Sequence, residues 1–177
     1  MTKIKYLIVA DIHGSMDGVN KLSAVLEAEK PDKIIFLGDM YYHGPRNPLP
    51  ALYAPMDVCN TIKGWKLPFI IVKGNCDSAV DETITGIKFR SQYSICSAKK
   101  RVLCLHGDRM PHKASNCLII HGHSHQNLFY EKDGVRCLSI ASLSMPKNAS
   151  PASYAIVENG TIIVKSLEGN IIEGIQL

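Results

Sequence analysis

The stretch "KIKYLIVADIHG" (residues 3–14) sets the frame for the whole chain. An unbroken apolar run ends abruptly in Asp11, Ile12, His13 and Gly14. An apolar run of this length, bounded by turn residues, reads as a buried strand. The acid and imidazole after it put polar chemistry at the strand's carboxyl end. Helical spacing follows in "DGVNKLSAVLEAEK" (17–30), with Val19, Leu22 and Leu26 on one face. "DKIIFLG" (32–38) reads as a second strand, the Pro-interrupted "NPLPALYAPMDVCNTIKG" (47–64) contains a helix, and "PFIIVKGN" (68–75) is a third strand. This alternation predicts parallel strands joined by right-handed crossovers.

From residue 86 the character changes to short β-rich segments: "KFRSQYSICS", "RVLCLHG", "CLIIHG", "NLFYEKDGVRCLSI", "SYAIVENGTIIVKSL" and "GNIIEGIQL". Asp-Gly in the fourth and Asn-Gly in the fifth are hairpin turn signals. The two hairpins predict a second, largely antiparallel sheet packed on the first. No repeat or linker separates the halves, so residues 1–177 read as a single domain, an α/β sandwich with helices on its outer faces.

Composition narrows the function classes. The 177 residues are 46% hydrophobic and 20% charged, without a low-complexity tract, which predicts a globular chain. Runs such as "YLIVA" are too short to span a bilayer, and the start of the chain lacks a small-residue cleavage site, so a soluble, cytoplasmic protein is expected. Six cysteines with no C-x-x-C pair fit reduced, mostly buried thiols. The net charge of +4 is scattered apart from "KKR" at 99–101, which reads as a solvated turn between strands. A nucleic-acid footprint needs clustered cations.

The polar clusters fall in equivalent places. Asp11 and His13 follow the first strand, Gly38 and Asp39 the second, and Gly74, Asn75, Cys76 and Asp77 the third. His106, Gly107 and Asp108 follow a later strand, and "HGHSH" (121–125) follows another. Ligands of α/β sheets collect outside the carboxyl ends of strands, so five loops can converge on one site. Singly, each piece is an ordinary turn, cap or core histidine. Together they form a carboxylate and imidazole set suited to divalent Mn, Fe or Zn.

In that order, D-x-H, G-D, G-N-x-D, H-G and G-H-x-H resemble the calcineurin-like metallophosphoesterase superfamily over most of the chain. "GDMYYHGPRNPLPALYAP", "KGNCD" and "PASYAIVENG" are similar to the small bacterial YfcE-type phosphodiesterases within it. The resemblance implies a four-layer αββα sandwich of two mixed β-sheets flanked by helices. It also implies two divalent metal ions per chain, Mn²⁺ first, with Fe, Zn or Ni as alternatives. One would be held by Asp11, His13, Asp39 and His125, the other by Asp39, Asn75, His106 and His123, with Asp39 bridging. These seven residues are also the catalytic set, acting through a hydroxide activated by the two metals. In "HGHSH", alternation alone does not choose among the three histidines; the family pattern begins at Gly122, which leaves His121 outside the set.

Two divalent ions, two carboxylates and a hydroxide leave a charge of about +1, which favours an anionic phosphate ester. Many family members carry histidine where this chain has Cys76, so the resemblance does not supply an acid for the leaving group here. Where relatives often show Asn-Pro-Gly-Ser, this chain has "SIASLSMP", from which no functional residue is drawn. Cys76, His43 and Arg46 are candidates to face substrate; an Arg fork suits phosphate oxygens. The expected partner is a small phosphodiester, with no nucleic-acid polymer and no membrane, and with room for a homo-oligomer. The competing reading is a protein-interaction scaffold, because the retromer scaffold subunit shares this fold while lacking part of the metal set. Every expected ligand position is filled here, which favours metal-dependent phosphodiester hydrolysis.

Overall fold

A computed structural model describes residues 4–111, 114 and 116–177. The order is β1 (Tyr6–Val9), α1 (Met16–Glu29), β2 (Lys33–Phe36), α2 (Pro55–Gly64), β3 (Phe69–Val72), α3 (Ala79–Thr85) and β4 (Phe89–Arg90). The β-rich part follows as β5 (Tyr93–Ser97), β6 (Lys100–Leu105), β7 (Cys117–His121), β8 (Leu128–Lys132), β9 (Val135–Ser139), β10 (Ser153–Glu158), β11 (Thr161–Ser166) and β12 (Ile171–Gln176). These build a seven-stranded sheet, β12-β11-β10-β1-β2-β3-β4, and a five-stranded sheet, β5-β6-β7-β9-β8.

The apolar runs are unbroken because both faces of the central strands are covered. Tyr6, Ile8 and Ala10 point into the core between the sheets, with Ile35, Leu37, Val102, Cys104, Leu118 and Ile120. Leu7 and Val9 point the other way, onto α1 and α2 through Val19, Leu22, Val58 and Ile62. Each such fully buried aliphatic contributes about 1.5–3 kcal/mol. The crossovers β1-α1-β2-α2-β3-α3-β4 keep β1 to β4 parallel, as expected. Ser15 caps α1 by accepting the Gly18 N–H at 3.2 Å, and Ser78 with Asp81 forms a capping box on α3.

Both hairpin turns form. Asp133-Gly134 and Asn159-Gly160 have paired positive φ, closed by Lys132 opposite Val135 and Glu158 opposite Thr161. "KKR" begins in the tight turn between β5 and β6, where Ser97 pairs Lys100, and its side chains are exposed. The expected grouping of the hairpins needs correction. β10 and β11 join the first sheet, with β10 antiparallel to β1, and the second sheet is mixed, since β6, β7 and β9 run parallel. The three crossovers all extend the first sheet to one side of β1, leaving its other edge to be paired by a returning strand. "KFRSQYSICS" also divides, Phe89–Arg90 pairing β3 and Tyr93–Ser97 pairing β6. The described helices that pack on a sheet pack on the first; the outer face of the second, with Leu103, Leu105, Ile119 and Cys137, meets Met110 and Ala114 instead. No described helix is long and apolar enough to cross a membrane.

Candidate metal centre

The carboxyl ends of both sheets meet along one edge and are stitched there by main-chain bonds. The Asp11 N–H donates to the Gly38 carbonyl (3.1 Å), His13 to Asp39 (2.8 Å), Gly122 to His106 (2.9 Å) and Leu143 to Ala10 (3.1 Å). Loops this close leave no room for side chains at their glycines, two of which sit against the carboxylates. A Cβ on Gly74 would overlap the Asp39 carboxylate, and one on Gly122 would lie 2.5 Å from Asp11 Oδ2. Asp11, His13, Asp39, His123 and His125 all adopt left-handed φ, from 51° to 64°. Non-glycine residues in that region carry a cost of about 1–3 kcal/mol each and cluster where the surroundings impose a function.

Three imidazoles are aimed by the same device. His13 Nδ1 donates to the Tyr42 carbonyl, His125 Nδ1 to Met145 and His106 Nδ1 to Leu37, each at 2.7 Å. Each Nε2 is thereby left as a lone pair directed into the edge. His13 Nε2 and His125 Nε2 lie 3.2 Å apart, and 3.8 and 3.5 Å from Asp11 Oδ1. Asp39 Oδ2 lies 3.7 Å from His13 Nε2 on one side and 3.5 Å from His106 Nε2 on the other. His106 Nε2 also lies 2.9 Å from Asn75 Oδ1 and 3.2 Å from His123 Nδ1. The remaining carboxylate oxygens are held by main-chain donors: Asp39 Oδ1 accepts from Cys76 N–H at 2.8 Å, and Asp11 Oδ2 from His123 N–H at 2.9 Å.

These donors suit divalent cations. Asp11 Oδ1 is buried without a hydrogen-bond partner, and in the neutral tautomers set by the carbonyls the two Nε2 atoms facing it are acceptors as well. Buried acceptors gathered in this way repel one another until positive charge sits among them. Their titration reflects the same crowding. Burial opposes protonation of His13 and His123 and holds both below the ordinary histidine value. At His125 burial is outweighed by the Asp11 carboxylate, which raises it; at Asp11 it is outweighed by His125, His106 and His13, which lower it. Burial, with the Asp39 carboxylate second, pushes the Cys76 thiol up to about 12.

A family model for the calcineurin-like phosphoesterase superfamily domain matches residues 4–161. The chain belongs to the calcineurin-like phosphoesterase superfamily. Its family is that of hydrolases acting on phosphoric esters, and the superfamily's metal dependence implies divalent ions at clusters of this kind. The chain is 29% identical to phosphodiesterase YfcE of Escherichia coli K12, over 93% of this chain and 92% of that protein. The structure of YfcE, described as an E. coli phosphoesterase, superposes with a TM-score of 0.88 at 28% identity, covering 98% of this chain and 99% of that one. Vacuolar protein sorting 29 of Cryptosporidium parvum matches over the full length of both chains with a TM-score of 0.65 and 15% identity, a likeness of fold.

Of the positions singled out by the superfamily pattern, all seven converge. Asp11, His13, Asp39, His106 and His125 are buried, while Asn75 and His123 lie on the open side. Cys76 and Arg46 line a cleft of about 460 Å³ over them. His43 does not: its ring packs edge-on between Tyr42 and Tyr53, at 4.9 and 5.4 Å, and its carbonyl accepts the Asn47 amide. His121 lies outside the cluster, its Nδ1 on the Gly122 carbonyl (2.9 Å) and its Nε2 on the Tyr130 hydroxyl (2.8 Å).

The seven-residue set leaves out two supports, one of them the acid of the G-N-x-D motif. Asp77 is buried and ties the loop after β3 to the loop after β2, accepting the Gly74, Asp39 and Met40 N–H groups, each at 2.8 Å. Burial raises its carboxyl to about 6 against those donors. "SIASLSMP", from which nothing was drawn, carries Ser142, whose hydroxyl donates to the Asp11 carbonyl at 2.6 Å and accepts the Met145 N–H at 2.9 Å. The Met145 carbonyl in turn orients His125. The serine and the acid it serves are 131 positions apart, so no local pattern connects them.

Proposed function

We propose that the chain is a metal-dependent phosphodiesterase acting on small phosphodiesters. The observation that carries this reading is Asp39 Oδ2, set between His13 and His106 at 3.7 and 3.5 Å, where one carboxylate can serve two ions. Asp11, His13, Asp39 and His125 would hold one divalent ion, and Asp39, Asn75, His106 and His123 the other. Ions held there would polarise phosphoryl oxygens and lower the pKa of water, Mn²⁺ being the first choice for this oxygen and imidazole set.

The chain's own groups shape the rest of the reaction. The Tyr42, Met145 and Leu37 carbonyls keep three imidazoles in the tautomer that presents Nε2, so no ring reorients as charge develops. Arg46, exposed on the cleft wall, can pair its fork with anionic oxygens. Cys76 lines the cleft at the position where many family members carry histidine, and a thiol is a weaker proton donor than an imidazolium. The site therefore suits esters whose leaving group departs unprotonated.

Neither a groove for a polymer nor a bilayer anchor enters this reading, and the core shared by the two sheets supports a single domain. The scaffold reading draws on the likeness to vacuolar protein sorting 29, but a scaffold has no need of the strained, fully converged donor set seen here. The deciding experiment supplies Mn²⁺ to the purified protein and screens cyclic nucleotides, nucleotide diesters and headgroup diesters. EDTA-sensitive turnover is expected. Two bound metals per chain with no turnover on any diester would favour the scaffold.

A further inference from the structure

We propose that Lys147, with Arg46, forms an anion-binding rim selecting phosphodiesters that carry a second negative charge away from the scissile phosphate. This rests on the diesterase reading of the cleft floor. Arg46 and Lys147 are the two fixed cations among the described residues lining the cleft. Both side chains are exposed, and neither makes a hydrogen bond or ion pair with a described residue.

Lys147 is nevertheless not adrift. Its N–H donates to the His125 carbonyl at 2.9 Å and its carbonyl accepts the Ser150 N–H at 3.0 Å, so the main chain is held against a member of the cluster while the long side chain is free to reach. Arg46 sits on a turn braced by the Asn47 amide on the His43 carbonyl at 2.7 Å. Two cations on separately anchored loops border a space of about 460 Å³, enough for a ligand larger than a single phosphate. A diester has one negative charge, and its two non-bridging oxygens belong to the floor. The rim charges are left for a group further along the substrate: a second phosphate or a carboxylate on an ester arm. Charge complementarity at such a rim discriminates between substrates more than it holds any one of them.

The test is binding, measured by titration calorimetry with Mn²⁺ present, of thymidine 3′,5′-bisphosphate against thymidine 5′-monophosphate. The wild-type protein is expected to bind the bisphosphate about tenfold more tightly, the increment of one charge-assisted contact. Lys147→Ala should bring the ratio near one, and Lys147→Arg should restore most of it. Equal binding of the two ligands by the wild type, or an unchanged ratio in Lys147→Ala, overturns the rim. Turnover of thymidine 5′-(4-nitrophenyl phosphate) is followed in parallel. A preserved ratio without turnover removes the diesterase reading and leaves the rim; turnover without the ratio does the reverse.

Discussion

The Nε2 atoms of His13 and His125 face one another at 3.2 Å, although 112 positions separate the residues, and each ring is turned inward by a carbonyl of a different loop. Neither nitrogen has a proton to offer the other in the neutral tautomers, so a cation held between them would satisfy the contact. His13→Ala and His125→Ala should each lower metal content by one ion per chain and activity about a hundredfold or more. Two ions per chain in either variant, by elemental analysis, would remove the pair from the centre.

Asp39→Asn should be the most damaging single change, because one carboxylate oxygen stands between the two donor groups. Loss of both ions, or of one with a sharp fall in affinity for the other, is expected. Near-normal turnover with two metals per chain would refute bridging.

His121→Ala separates packing from metal binding. The ring is buried and holds the Gly122 carbonyl and the Tyr130 hydroxyl, so its loss should cost about 1–3 kcal/mol of stability while two ions remain bound. His123→Ala should show the converse, with little change in unfolding and one ion lost. Chemical denaturation and metal analysis on the two variants decide it.

Leaving-group chemistry provides a fourth check. With a thiol at Cys76 where many family members carry histidine, bis-p-nitrophenyl phosphate should be turned over with a higher kcat/KM than an alkyl monophosphate. Equal or faster hydrolysis of the alkyl monoester would show that a proton donor has been overlooked.

The far end of the first sheet has its own pH dependence. Burial would raise the Glu29 carboxyl, but Lys165, Lys5 and Tyr154, at 2.6, 2.9 and 2.9 Å, outweigh it and hold it at about 2 against 4.5. A depressed folded value means that the stabilisation is present above pH 4.5 and is lost as pH falls through about 2, amounting to about 2 kcal/mol after screening. Thermal unfolding of Glu29→Gln and wild type should therefore converge between pH 4.5 and 2. A constant difference across that window would assign the effect to packing.

Periodicity made the first half of the chain readable in advance, and turn chemistry the hairpins of the second, because each depends on neighbours a few positions away. The apolar run at Tyr6–Val9, the helical stripe of Val19 and Leu22, and the Asp133-Gly134 and Asn159-Gly160 turns are local facts, and all appear in the fold. Strand-end placement of the short motifs suggested one converging polar cluster, and the superfamily resemblance singled out the seven residues within it. Tertiary structure alone decided which sheet received the hairpin of β10 and β11, because the open edge of β1 exists only after three crossovers have formed. It also decided that His43 turns into a tyrosine sandwich while Arg46, three residues on, lines the cleft. The roles of Asp77, Ser142 and Lys147 depend on main-chain groups brought from 3 to 131 positions away. A main-chain donor or acceptor has the same chemistry at every residue, so those partners leave no mark in the sequence until the fold brings them within reach.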